Sequence, residues 1–554
     1  MTELHFSPRP NRAAEIRWRA WSPEAFEEAR SLDRPILLGI SAVWCHWCHV
    51  MDETTYSNQA VIDHLNRAFV PIRVDNDLRP DVNNRYNMGG WPTTAFLTPQ
   101  GDVLTGATYL PPDQMLGALQ RIEDFYRSNK PQISAQVLEN RKRASTVVAG
   151  SAGPLDPRLV DAVLAACENA HDRAYGGFGA APKFPQTDAI SLLAEQSITR
   201  KEPQLMEMAR FTLRQMAGGG TYDHVEGGFF RYSTTQGWSV PHFEKMLEDH
   251  AGLVSALALA GEGEILDSAT GYLERVLRDP LTGLYAGSQD ADADYYSLDA
   301  EGRRGKEAPY VDRRVYSNWN AMLAVAYLEA DARLGRPGLR QSAATLLDSL
   351  FAARFSAGAG MLHADGVGGQ LGDQVWSLLA AVRAFQAGLG DRWLALAEEA
   401  AADLEAGYLD LELGGYFDRA SVDAVGRLED RLKPISENAV AALALFELDT
   451  LVGGGHGEHG RRALESVAQL PARYGLMAAG WARAYDRYLK EPLKVTTGDA
   501  GMARVALQIS PYAVIEPGST DRAIVCRGTL CLAPVTSSAE LAAILREAPL
   551  VREI

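Results

Sequence analysis

The apolar positions change rhythm twice along the chain. Near the N-terminus they fall in short continuous runs: Pro35-Ile36-Leu37-Leu38-Gly39-Ile40, then 69–75, then 93–98 closed by a Pro99-Gln100-Gly101 turn. Such runs, rich in β-branched residues and bounded by turn formers, predict buried strands. Between the first two, residues 50–69 carry Val61, Ile62, Leu65 and Phe69 on one helical face. From about 155 to 490 the spacing is helical throughout and predicts twelve amphipathic helices, at 156–171, 187–199, 203–217, 243–260, 263–278, 317–334, 338–354, 373–388, 391–406, 436–452, 458–469 and 471–489. Beyond 491 strands (493–496, 522–526) and a helix (538–546) mix again.

Glycine followed by an aromatic or apolar residue punctuates the helical stretch at Gly177-Phe178, Gly228-Phe229, Gly283-Leu284, Gly360-Met361 and Gly415-Tyr416, at intervals of 51, 55, 77 and 55 residues. The longest interval holds a polar insertion, 290–314. A period of this length is the mark of stacked helical hairpins. The connections after the first, third, fifth, seventh and ninth helices are long and hold all the glycine signals, those after even-numbered helices are short, and the last hairpin turns tightly at Leu470-Pro471. Six helix pairs with every long connection at one end predict an (α/α)6 toroid whose loops converge on one mouth. The expected organisation is an α/β domain at 1–130, a linker at 131–154, the all-α toroid at 155–490 and a small α/β segment at 491–554.

Trp44-Cys45-His46-Trp47-Cys48 lies where the first strand turns into its helix. The unpaired N–H groups and the positive dipole end at a helix N-terminus both favour thiolate over thiol at Cys45. The spacing suits a reversible disulfide with Cys48. Trp44, His46, Trp47, Trp91 and Pro92 are expected to shape this site, with a protonated His46 stabilising the thiolate. No second CxxC or HxxxH follows at zinc-finger spacing, so redox chemistry is favoured over a zinc site, and neither metal nor cofactor is expected. Strand, CxxC, helix, strand, X-Pro, strand is the thioredoxin order. That likeness implies a cis Pro92 packed against the dithiol.

The long loops of the toroid concentrate ionisable and aromatic residues. His242, Glu244 and His224 are the candidate acids and bases. Glu226, Arg231, Trp238, Lys245, Asp249, Asp290, Asp292 and Asn438 are the candidate binding residues of the mouth. Carboxylates and histidines among aromatic rings can stack a sugar and exchange protons with it. The run from Asp290 to Asp294 lacks the glycine and terminal glutamate of a calcium loop.

A net charge of −17 over 554 residues argues against a nucleic-acid surface. With no apolar h-region and no long apolar run, no membrane association and a cytoplasmic location are expected. Five cysteines fit a reducing compartment. Cys526 and Cys531 flank a predicted turn that can bring their sulfurs together; packed thiols are the favoured reading there and a second redox pair the alternative. Cys167 is expected in the core.

Taken together, Trp44-Cys45-His46-Trp47-Cys48-His49-Val50-Met51, Gly89-Gly90-Trp91-Pro92, Ala181-Pro182-Lys183-Phe184-Pro185, Gly227-Gly228-Phe229 and Pro241-His242-Phe243-Glu244-Lys245-Met246-Leu247 resemble the spermatogenesis-associated protein 20 family. The resemblance implies a thioredoxin-like domain joined to a six-hairpin-glycosidase-like toroid. That toroid is also similar to the N-acylglucosamine 2-epimerases and cellobiose epimerases, whose barrels use histidines as acid and base. Two departures, Gln289 for a common glutamate and Glu437 for a common glycine, weigh against barrel chemistry, whereas the dithiol and Pro92 are intact. The expected function is thiol–disulfide exchange with a protein disulfide or thioredoxin-system partner, Cys45 attacking and Cys48 resolving. The alternatives are a sugar epimerase, isomerase or glycoside hydrolase with a sugar ligand in the toroid, and a non-catalytic scaffold.

Overall fold

The computed structural model describes residues 4–133, 135–137, 139, 151–420 and 424–546. It divides into two compact units. One comprises Met1–Ala149 with Asp290–Asp292 and Ser421–Leu432, and the other Gly150–Gln289, Ala293–Ala420 and Lys433–Ile554.

The first unit runs α1 (Pro23–Leu32), β1 (Ile36–Ser41), α2 (His46–Glu53), α3 (Gln59–Ala68), β2 (Val70–Asp75), α4 (Pro80–Tyr86), β3 (Thr93–Leu97), β4 (Val103–Ala107) and α5 (Pro112–Ser128). The sheet order is β2-β1-β3-β4, with β1 parallel to β2 and antiparallel to β3, and β3 antiparallel to β4. β1 reads as an unbroken apolar run because both its faces are covered. Leu38 and Ile40 pack with Ile72, Val74 and Phe26 on one side, and Leu37 packs with Phe96, Leu65 and Met115 on the other. This is a thioredoxin-like α/β sheet.

The single helix expected over 50–69 is two helices. Thr54 and Ser57 turn their hydroxyls onto the carbonyls of Val50 and Asp52, the local competition that makes such residues poor helix formers. Asn58 then starts α3 afresh, its Oδ1 accepting the N–H groups of Ala60 and Val61 at 3.0 and 3.3 Å. The expected linker begins in helical residues, 131–133, and its greater part (134, 138 and 140–150) lies outside the described residues.

The second unit holds the toroid. Its helices are α6 (Arg158–Ala170), α7 (Thr187–Arg200), α8 (Pro203–Gly218), α9 (Leu247–Ala260), α10 (Gly263–Tyr272), α11 (Ser317–Leu334), α12 (Pro337–Arg354), α13 (Leu371–Gln386), α14 (Arg392–Tyr408), α15 (Ile435–Val452), α16 (His456–Glu465) and α17 (Ala479–Leu489). Helices α7, α9, α11, α13, α15 and α17 form an inner ring, each packed on the next, and α17 closes it against α7. The others stand behind them as an outer ring. Inner helices such as α9 and α15 bury residues on nearly every face, as elements covered on both sides must. Three expected helices are shorter than their pattern. α9 starts only at Leu247, because Pro241–His242 and Lys245–Met246 are extended strands. α10 runs into a π-helical turn at Leu273–Leu277. The stretch expected at 471–489 is broken at Gly475, whose φ of 54° no regular helix accommodates.

The C-terminal part of the same unit contains β5 (Leu493–Thr497), α18 (Ala500–Ile509), β6 (Ala513–Pro517), β7 (Ala523–Arg527), β8 (Leu530–Cys531) and α19 (Ser538–Arg546). Its order is β6-β5-β7-β8, with β5 parallel to β6 and antiparallel to β7, and β7 antiparallel to β8. Strand order and directions repeat those of the N-terminal sheet. Among the described residues no helix is long and apolar enough to cross a membrane.

Candidate functional site

Cys45 is the N-cap of α2. Its backbone is extended and its Sγ accepts the N–H of Cys48 at 3.2 Å. The two sulfurs are joined in a disulfide, with Cα atoms 5.2 Å apart. The far end of α2 is tied to β2 by a buried pair, Arg73 donating to both oxygens of Asp52 at 2.8 and 2.9 Å. Trp44 donates its indole N–H to the buried Asp77 at 2.7 Å and meets Trp91 edge-on at 5.5 Å. The Trp91–Pro92 bond is cis. His46 and Trp47 stand exposed, ring against ring at 5.8 Å, and Trp47 also leans on Tyr109 at 5.2 Å. Cys45, the attacking sulfur of the expected exchange, is 4% exposed, and Cys48 2%. The helix start tucks both beneath itself and leaves the two residues between them outside.

His49 follows the dithiol. Its Nε2 lies 2.9 Å from the Val43 carbonyl and its Nδ1 3.7 Å from Asp290. Burial, helped by the nearby His5, pulls it down to about 4, so the ring is neutral at pH 7.

In the toroid a cavity of about 690 Å³ runs along the inner ring. Phe184, Glu248, Asp249, Asn318, Trp376 and Glu437 line it near the first turns of the inner helices. Arg333, Arg383, Arg483 and Arg487 line its other end, paired with Glu329, Glu447 and Glu195. Burial raises Asp249 to about 6, with Arg231 opposing and Glu244 adding to the rise, and burial likewise raises Glu437, helped by Asp418. Glu244 accepts from His242 Nδ1 at 3.2 Å through one oxygen. Its other oxygen, and Asp249 Oδ2, are buried without a hydrogen-bond partner among the described residues. His242 stacks on Tyr232 at 4.6 Å, and Tyr232 on Phe184 at 4.6 Å. The end of the cavity near the first turns of the inner helices is therefore acidic and aromatic, and burial favours the protonated form of two of its carboxyls, Asp249 and Glu437. Among the described residues no group of three His, Cys, Asp or Glu side chains is placed to hold a metal ion.

Residues 9–144 match the family model Thioredox_DsbH, a protein of unknown function, DUF255. The N-terminal unit is thioredoxin-like. The expected resemblance also holds: spermatogenesis-associated protein 20 of Homo sapiens is 36% identical over 328 residues, 53% of this chain and 41% of that protein. The match thus covers less than half the length of that relative. Among solved structures, a thioredoxin from Thermus thermophilus is similar at 24% identity over 20% of this chain and 87% of its own, with a TM-score of 0.18. A D-mannose isomerase is similar at 12% identity over 59% of this chain and 96% of its own, with a TM-score of 0.47.

Several expected mouth residues have other work. In three loops a buried lysine ties a turn to itself. Lys183 Nζ donates to Asp172 and the Gly176 carbonyl at 2.6 and 2.8 Å. Lys245 Nζ donates to Asp223 and the Gly227 carbonyl at 2.7 and 2.9 Å, and Lys433 Nζ lies 2.6 Å from Asp410 and donates to the Gly414 carbonyl at 2.7 Å. A second device recurs at the fourth residue of four inner helices. His250 accepts from the Phe229 N–H at 2.9 Å, while Asn320, Gln374 and Asn438 each bond both backbone groups of Tyr285, Met361 and Tyr416. Lys245 and Asn438 are thus loop clamps, enclosed by the structure they hold.

Glu226 belongs with the Lys245 clamp, accepting from the Tyr295 hydroxyl at 2.6 Å and lying 3.3 Å from Arg303. Trp238 is 1% exposed, with a φ of 60°, and its indole donates to the Tyr175 carbonyl at 2.9 Å. It fills the loop beneath Gly177, where an added Cβ would come within 2.4 Å of the ring. His224 is exposed and bonded to the Gly219 carbonyl at 3.0 Å; it does not line the cavity. Asp290 and Asp292 group with the first unit, Asp290 beside His49. Asp249 does line the cavity, whereas Glu244, His242 and Arg231 do not; the charges of Arg231 and Glu244 act on Asp249, and His242 bonds Glu244. Glu248, Asn318 and Trp376 also line the cavity but are not among the expected site residues, because each sits in the first two turns of an otherwise ordinary inner helix.

Proposed function

We propose that the chain is a thiol–disulfide oxidoreductase acting through Cys45 and Cys48. The observation that carries this reading is the N-cap position of Cys45: a sulfur that accepts the Cys48 N–H at 3.2 Å is one whose negative charge the helix start stabilises. In the reduced form the Cys45 thiolate attacks a substrate disulfide and expels one substrate sulfur as thiolate. Cys48, as thiolate, then attacks the mixed disulfide, so that the substrate leaves with two electrons and the Cys45–Cys48 bond forms. The neutral His49 adds no competing charge. Since both sulfurs are covered, attack requires a local opening at the helix start, and exposed Trp47 marks the surface a partner meets. A glutathione redox titration with alkylation tests the reading through the mass of the peptide carrying both cysteines. A reversible two-electron transition, and loss of disulfide reductase activity in Cys45→Ser, are expected; an unchanged Cys45→Ser protein would end it.

A second reading has its own observation. Asp249, poised near pH 6 at the acidic and aromatic end of the cavity, suits general acid–base chemistry on a polyol or sugar. Calorimetry with mono- and disaccharides should give binding that Asp249→Asn weakens. Absence of heat at millimolar sugar counts against it.

A further inference from the structure

We propose that Cys526–Cys531 is a second exchangeable disulfide, opened by a dithiol donor. The two cysteines face each other across the β7–β8 hairpin and are joined. Lys494 is directly opposite Cys526 on β5. Alternation along the strands sends Val495 and Val525 into the core and leaves Lys494, Cys526 and Cys531 in one row on the other face. β8 ends the sheet, and Cys531 is exposed whereas Cys526 is 7% exposed. A donor thiolate therefore reaches the Cys531 sulfur, and the electron pair of the broken S–S bond leaves on Cys526.

That leaving sulfur belongs to Cys526, the direct cross-strand neighbour of Lys494, whose positive charge favours the departing thiolate. With the disulfide closed, the Lys494 ammonium donates to Glu516 on β6 at 3.1 Å, and Glu516 also accepts the Thr496 hydroxyl at 2.5 Å. The donor's second thiolate attacks the mixed disulfide and releases Cys531. The donor ends as a disulfide, and two electrons with two protons reside on Cys526 and Cys531. A purely structural staple explains the pair less well, because a bridge across so short a loop removes little chain entropy.

The test uses the full chain carrying Cys45→Ser and Cys48→Ser, so that exchange at the N-terminal unit cannot contribute. Folded protein is exposed to dithiothreitol at pH 7, quenched by alkylation, and read by the mass of the peptide carrying Cys526 and Cys531. The wild-type chain, whose two cysteine pairs are resolved by peptide mass, runs beside it in case the variant misfolds. Reduction without change in circular dichroism and reversal by oxidised glutathione are expected. Lys494→Met should slow reduction by about 5- to 10-fold, with Lys494→Arg near wild type. Absence of the disulfide in every buffer, reduction only after unfolding, or an unchanged rate in Lys494→Met overturns the proposal.

Discussion

The N-terminal and C-terminal sheets share one strand order and one set of directions, and in both the first strand leads into a helix through a side-chain cap. Cys45 accepts the N–H of the third residue of α2 at 3.2 Å, and Asp499 accepts the N–H of the third residue of α18 at 2.7 Å. One acceptor position carries a sulfur with a partner sulfur at that third residue; the other carries a carboxylate with Met502 there. The backbone supplies the same electrostatics to both. What makes the first junction a candidate redox centre is the element at the cap, and the fold alone does not decide it.

The sheets also differ in what lies beneath. Asp52 on α2 is buried and takes two bonds from Arg73 and one from the Ser7 N–H at 3.0 Å. Asp52→Ala leaves the Arg73 charge buried and uncompensated, and should cost roughly 3–5 kcal/mol. Urea unfolding followed by tryptophan fluorescence measures it. A loss no larger than that of a surface cap would mean the two helix–sheet junctions are held alike.

Histidine provides the next contrast, since the chain beyond 491 contains none. His49 is pulled down to about 4 in the folded chain, chiefly by burial, while the unfolded ring takes its proton near 6.5. Between those values the unfolded state binds more protons, so stability falls as pH drops from 6.5 towards 4. The loss should be on the order of 2–3 kcal/mol, and His49→Gln should flatten it. Unfolding followed at pH 7, 5.5 and 4 for both proteins gives the slope. A wild-type curve already flat over that range would place the acid sensitivity elsewhere.

Much of this architecture can be read from spacing. The dithiol at the strand–helix junction, the three strands around it and the alternation of long and short connections in the toroid are all local patterns. The clamps are not. Lys245 and Asn438 look like binding residues when taken singly, and only comparison with Lys183 and Lys433, or with His250, Asn320 and Gln374, exposes the shared job. Trp238 sits in a loop of polar and ionisable residues, yet its backbone turns left-handed and packs the ring inward. The break at 54–58 followed from Asn58 capping a new helix, which hydrophobic spacing does not register. The grouping of Asp290–Asp292 and Ser421–Leu432 with the first unit depends on contacts far apart in sequence: Arg85, for instance, donates to the carbonyls of Arg427 and Asp430.

The smallest expected effect tests the comparison most directly. If Cys45 and Asp499 occupy equivalent positions, removing the carboxylate should cost only what a cap is worth. Asp499 satisfies one of the orphan N–H groups of α18, a helix of ten residues, and its own N–H is taken up by the Thr497 hydroxyl at 3.1 Å. Asp499→Ala should destabilise by about 1 kcal/mol, and Asp499→Asn, which keeps an acceptor oxygen without the charge, by less. Hydrogen exchange at the first amides of α18 reads the effect locally, with protection falling in Asp499→Ala while the amides of β5 hold. If the Ala and Asn variants lose equally, the charge and not the accepted hydrogen bond stabilises this helix start. The Cys45 sulfur, as a neutral thiol, would then contribute little to α2, and the reduced N-terminal unit would be stabilised only to the extent that Cys45 ionises.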